Sequence, residues 1–238
     1  MRRTVVGPRA RPPRVGGRGR LIVVGGHSRG VGKTATIENL LRARANEAWV
    51  AVKISAHRHA QESSTPPVVE EAREPSPLTQ TGRYLAAGAA RAWLYRCPSQ
   101  QLLAAAAFVT ALVDSGWNVI VESNRVVRHL VPDAVIFVVS EATDDWKASS
   151  AACLRCAGAI VLAAGSSRVS RRGLAIGGSR VTRLPVFAFN QSWTVAGLNR
   201  WIDQQSRLRV TLHLNRRCVS ASSPAALRPR TPPYPSTR

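Results

Sequence analysis

The apolar positions of this chain fall in two registers, short unbroken runs and helical stripes, and the switches between them lay out its elements. Leu21-Ile-Val-Val-Gly-Gly26 is a continuous apolar run, as expected of a strand buried on both faces. From about Lys33 to Ala45 the apolar residues recur at helical spacing, and Trp49-Val-Ala-Val-Lys-Ile54 reads as a second strand. Pro66, Pro67, Pro75 and Pro77 interrupt residues 60–79, which predicts a mobile loop with little regular structure. Beyond it come a short helix over Thr81–Gly88, a strand at Ala92–Tyr95 and a helix over about Ser99–Asp114 closed by Gly116 as a C-cap glycine. Strands follow at Trp117–Glu122, Ala134–Val139, Ala159–Ala163 and Val186–Phe189, with helices at about Lys147–Cys156 and Val195–Gln205. Leu208, Val210, Leu212 and Leu214 alternate with polar residues, the pattern of one more strand at a sheet edge.

Apolar strands alternating with helices imply an α/β fold, three layers with a mostly parallel central sheet and helices on both faces. Residues 1–19, rich in Pro, Gly and Arg, read as a disordered basic extension, and residues 216–238 as a disordered Pro/Ser/Arg-rich tail. That leaves 20–215 as one domain.

Composition changes this picture little. The formal charge of +21 resembles a nucleic-acid footprint, but residues 1–20 hold seven arginines and no acid, and residues 207–238 do the same. Only +7 remains for the body of the chain, so nucleic acid is not an expected partner. No apolar stretch reaches the roughly 18 residues of a membrane span, and no apolar leader follows the N-terminal arginines, so a cytoplasmic location is expected. Cys97, Cys153, Cys156 and Cys218 form no disulfide framework, and the Cys153–Cys156 pair reads as two buried thiols on a helix.

The chemistry concentrates where the first strand turns into the first helix. Gly26-His-Ser-Arg-Gly-Val-Gly-Lys-Thr34 is a glycine-rich turn whose backbone N–H groups and helix N-terminus suit a phosphate chain. In that reading Gly26, His27, Ser28, Arg29, Gly30, Val31, Gly32, Lys33 and Thr34 form a nucleotide cradle. Lys33 reaches the β- and γ-phosphates, and Thr34 holds Mg²⁺. The usual spacing places a glycine where this chain has His27; the glycine sits one residue earlier, at Gly26. His27 either touches phosphate or fills the position of the absent glycine.

In a parallel sheet, ligands sit at the carboxyl ends of strands. There the second strand delivers Lys53, a further cofactor-binding candidate, and then His57 and His59, for which phosphate contact or solvation is a better account than zinc. Another strand ends in Glu122, a carboxylate placed to face Mg²⁺ beside Thr34. Asn190 follows the strand at 186–189, where its amide either reads a base edge or caps the next helix.

Taken in order, Gly26–Thr34, Val50-Ala-Val-Lys53 with His59, Thr81-Gly-Arg-Tyr-Leu-Ala-Ala-Gly-Ala89 and Val119-Ile-Val-Glu122 resemble the molybdopterin-guanine dinucleotide biosynthesis adaptor family (MobB-type), over about residues 21–205. The phosphate loop alone also resembles dethiobiotin synthetase. The resemblance implies a P-loop NTPase that binds GTP or ATP with Mg²⁺, hydrolyses it slowly, forms a homodimer and assists a molybdenum-cofactor biosynthesis partner. The chain departs from the family at Gln80, where an acidic residue is usual, at Ser123, where glycine follows the glutamate, and at residues 60–79, which lack the cysteines of a related branch. Two rival readings stand beside it. One is a nucleotide-dependent ligase or synthetase of the dethiobiotin type, with Lys53 and the 81–88 helix contacting a small carboxylate. The other is a non-catalytic nucleotide-binding regulator.

Overall fold

The computed structural model describes residues 17–57, 66–142, 145–169, 181–189 and 195–208. Its strands are β1 (Leu21–Gly26), β2 (Trp49–His57), β3 (Val68–Glu71), β4 (Arg91–Pro98), β5 (Asn118–Glu122), β6 (Ala134–Val139), β7 (Ala159–Leu162) and β8 (Val186–Ala188). The helices are α1 (Lys33–Ala43), α2 (Gln80–Ala86), α3 (Leu102–Asp114), α4 (Ser150–Cys156) and α5 over 195–208. No described helix is long and apolar enough to cross a membrane.

All eight strands form one sheet in the order β3-β4-β2-β5-β1-β6-β7-β8, parallel throughout except for the antiparallel edge pair β3–β4. Alternate residues of β1 face opposite layers. Ile22 and Val24 pack against Ile37, Leu40 and Leu41 of α1, with Tyr84 of α2 and Leu198 and Ile202 of α5 in the same layer. Leu21 and Val23 belong to the opposite core, which contains Ala105, Val109 and Val113 of α3 and Cys153 and Leu154 of α4. This is the expected three-layer α/β architecture of a P-loop protein, with both faces of the central strands dry.

Several expectations are corrected. The segment 60–79 contains β3: Glu70 and Glu71 pair with Arg96 and Arg91 across the strand pair, so charge partners on β4 hold a proline-flanked edge in register. Residues 58–65 lie outside the described residues. The third helix opens as a 3₁₀ turn at Ser99–Gln101, and α4 begins at Ser150 rather than near Lys147. Gly116 does close α3, at φ 88° with its N–H on the Val113 carbonyl at 3.0 Å. Cys153 is buried as expected, whereas Cys156 is exposed. Leu208 belongs to α5, not to a strand; Val210, Leu212 and Leu214 lie outside the described residues.

Helix α5 is fastened by Arg44, a buried side chain. It donates to Asn199 Oδ1 (2.7 Å), the Asn199 carbonyl (2.9 Å), Asp203 (2.9 Å) and Glu47 (3.0 Å).

Candidate functional site

The loop after β1 is shaped by what surrounds its first glycines. A Cβ on Gly26 would lie 2.8 Å from Val31 Cγ1 and 2.9 Å from the Val138 carbonyl oxygen. Asn124 brackets the same residue: its Oδ1 accepts from the Gly26 N–H and its Nδ2 donates to the Gly26 carbonyl, both at 2.8 Å. Gly26, one position before the motif's usual glycine, must therefore stay bare, as must Gly25, where a Cβ would run into Cys153 Sγ. Farther along, Gly30 (φ 75°) and Gly32 (φ 98°) supply left-handed turns, and α1 starts immediately after Gly32.

His27 takes the interior place. Its imidazole is 1% exposed and lies 4.9 Å from the Trp146 ring, which stacks in turn on Phe137 at 5.9 Å. The His27 N–H donates to the Val138 carbonyl (3.3 Å), and its own carbonyl accepts from the Lys147 N–H (3.0 Å). The residue pins the loop to β6 rather than reaching into the cradle. Val31 likewise packs in the core beneath the loop. Ser28, Arg29, Gly30, Gly32, Lys33 and Thr34 line the cavity above.

Lys33 Nζ donates to the Ser28 carbonyl at 2.7 Å, closing the loop on itself. Burial lowers its pKa to about 8, against the opposing pull of Glu122. Because β5 is hydrogen-bonded to β1 on one side and β2 on the other, Glu122 faces both Thr34 and Lys53. The Thr34 hydroxyl donates to Glu122 Oε2 at 3.0 Å, Lys53 forms an ion pair with Oε1, and the Tyr84 hydroxyl donates to Oε2. Gln80 Nε2 donates to Thr34 Oγ1 at 2.9 Å.

Burial on its own would raise the Glu122 carboxyl, but the charge and hydrogen bond of Lys53, the Tyr84 hydrogen bond and the charge of Lys33 hold it below the usual carboxylate range. Burial and the adjacent Glu122 charge raise Tyr84. The carboxylate is thus ionised at neutral pH and oriented by Thr34, Lys53 and Tyr84. Thr34 and Glu122 present hard oxygen donors side by side at the mouth of the loop, a donor set that suits Mg²⁺.

These groups open on a cavity of about 700 Å³ along the carboxyl ends of β1, β2 and β5. Of the expected site residues, Ser28 to Thr34 without Val31, Lys53 and Glu122 come together there. Gly26 and Val31 lie beneath it, and His27 lies behind it. Asn190 and His59 lie outside the described residues.

No protein-family model matches this chain, and no curated protein matches it. Among solved structures, the crystal structure of HypB from Helicobacter pylori in complex with nickel is similar to it, at 13% identity over 80% of this chain and 89% of that chain, with a TM-score of 0.48.

Three site residues, Tyr84, Arg83 and Gln80, lie in or beside the Thr81–Ala89 motif, which does not by itself give their contacts. Tyr84 reads as an ordinary core position of a short helix, yet its hydroxyl ends on Glu122. Arg83, its neighbour, lines the cavity and pairs with Glu38 of α1 at 2.6 Å. Gln80 places an amide on the Thr34 hydroxyl. The signal that could have found them is the docking of α2 on α1 through Glu38, a pairing of residues 45 apart in the chain.

Proposed function

We propose that this chain is a nucleoside-triphosphate-binding protein of the molybdopterin-guanine dinucleotide biosynthesis adaptor type, a slow GTPase or ATPase that acts with a partner in molybdenum-cofactor maturation. The observation that carries the reading is the 3.0 Å contact between Thr34 and Glu122 directly beside Lys33, at the start of α1. Loop N–H groups and Lys33 hold the phosphates, and Thr34 and Glu122 hold Mg²⁺. Bound Mg²⁺ neutralises charge on the β- and γ-phosphates. To engage a phosphate, Lys33 exchanges the Ser28 carbonyl for a phosphate oxygen, while Lys53 and Tyr84 orient Glu122.

Slow turnover follows from the lining of the cavity. Glu122 is its only carboxylate among the described residues, and with Thr34, Lys53 and Tyr84 already bonded to it, the acceptor site it has left goes to Mg²⁺ in this reading. A general base needs a free lone pair within reach of water, and this arrangement favours a protein whose nucleotide state matters more than its turnover.

Thermal-shift titration of the full chain with ATP and with GTP, each with Mg²⁺, beside Lys33→Ala, tests the reading. A ligand that binds only the folded chain raises the melting temperature by mass action. The expected result is a saturable shift with one of the two nucleotides that Lys33→Ala abolishes. No shift with either nucleotide, or an equal shift in the variant, rejects it.

A further inference from the structure

The cavity is strongly cationic along its whole length. Its described lining carries Arg29, Lys33, Lys53, Arg83, Arg125 and Lys147 against one carboxylate, Glu122. Only part of that charge is near the loop. Strands lie about 4.8 Å apart, and the order β1-β5-β2-β4 sets how far each residue stands from the phosphate cradle. Lys53 and Ser55 on β2 are two spacings from β1, about 10 Å. Arg125 reaches farther, donating to Ser99 Oγ at 2.6 Å at the end of β4. The Thr34–Glu122 pair marks where the triphosphate's terminal end comes to rest, so this second half of the cavity lies beyond the γ-phosphate.

We infer that the region bounded by Lys53, Ser55, Arg83, Ser123 and Arg125 is a subsite for a second, anionic ligand, a small molecule that presents a carboxylate or phosphate oxyanion next to the nucleotide's terminal phosphate. This inference rests on the nucleotide reading and extends it. Arg83 and Arg125 supply the planar donor pairs that match oxyanions, and both are partly fixed before any ligand arrives, Arg83 by Glu38 and Arg125 by Ser99. The serines add hydroxyl donors: Ser55 and Ser123 line the same wall, and Ser123 Oγ is oriented by the N–H groups of Arg125 (3.3 Å) and Val126 (3.4 Å). The described wall presents no acid and one apolar side chain, Ile54. An oxyanion offers Arg83 and Arg125 a charged acceptor that an apolar ligand does not.

The test uses the full chain saturated with Mg²⁺ and a non-hydrolysable triphosphate, so that the phosphate loop is occupied. Inorganic phosphate and malonate are titrated in separate arms, with sodium chloride at matched ionic strength as the control for general anion effects on a basic protein. The expected result is a further saturable rise in melting temperature over chloride in at least one arm, which tells phosphate from carboxylate preference. In Arg125→Gln the apparent affinity for that anion falls at least tenfold, and Arg125→Lys restores part of it.

A chain that responds to neither anion beyond chloride overturns the inference, as does an increment undiminished in Arg125→Gln. The nucleotide shift is read in the same melts. Its absence defeats the nucleotide reading and this inference with it, whereas a normal nucleotide shift without an anion increment defeats this inference alone.

Discussion

Replacing Tyr84 with Phe removes one hydroxyl and leaves the ring in place. In the wild-type chain that hydroxyl is fully buried and donates to Glu122 Oε2. A hydrogen bond to a charged group contributes about 1.5–3 kcal/mol. Tyr84→Phe strands no donor, and Glu122 keeps the Thr34 and Lys53 bonds, so the cost sits near the lower middle of that range, about 2 kcal/mol. For a chain of this size each kcal/mol moves the melting temperature by roughly 2–4 °C, giving a fall of about 4–8 °C. The assay is thermal unfolding of wild type and Tyr84→Phe in EDTA without nucleotide, with urea unfolding as the second measure. A loss smaller than about 0.5 kcal/mol, the range of an ordinary surface change, would refute the claim that Tyr84 holds the carboxylate. Because Tyr84 acts through Glu122, the same variant should also need more Mg²⁺ to half-saturate nucleotide binding, an effect that loss of core packing alone would not produce.

Gly26→Ala forces a Cβ against the Val138 carbonyl oxygen, which cannot move without shifting β6; the expected outcome is about 1–3 kcal/mol of destabilisation and loss of the nucleotide-induced shift, read in the same melts. Lys33 gives a pH prediction. Its pKa is about 8 when folded and near the ordinary 10.5 when unfolded, so between those values the unfolded chain binds more protons and stability rises with pH. Relative to Lys33→Met, wild type should gain up to roughly 3 kcal/mol across that window in nucleotide-free urea titrations, and a flat difference would show that Lys33 is not desolvated. Arg44→Ala removes the bonds to Asn199 and Asp203 that tie α5 down, leaving Asp203 paired with Arg20 alone, and should cost about 2–3 kcal/mol, with hydrogen exchange in α5 rising before that in the central strands.

The parts of this molecule that could be read from its residues are those set by local pattern. β1, the loop and α1 follow from an apolar run, glycines and a helical stripe that are contiguous in the chain. β5 and β6, buried on both faces, announce themselves as apolar runs in the same way. β3 could not be read because Val68-Val69-Glu70-Glu71 is an exposed edge flanked by prolines, stabilised by Arg91 and Arg96 on a strand some twenty residues later. His27 illustrates the limit at the site: its spacing is visible, but the ring's direction depends on Trp146, which reaches it only after β6 has paired with β1. Thr34 and Glu122 were legible as a pair because motif and strand end each point to Mg²⁺. Tyr84, Gln80 and Arg83 were not, because their contacts follow from how α2 docks against α1.

The central claim is that Lys33, Thr34 and the loop around them bind a nucleoside triphosphate. Calorimetric titration of the full chain with Mg²⁺-ATP and Mg²⁺-GTP, repeated with Lys33→Ala, tests it most directly. The account predicts saturable binding of at least one nucleotide, weakened at least tenfold in the variant. No binding of either nucleotide, or the same affinity in Lys33→Ala, would contradict it.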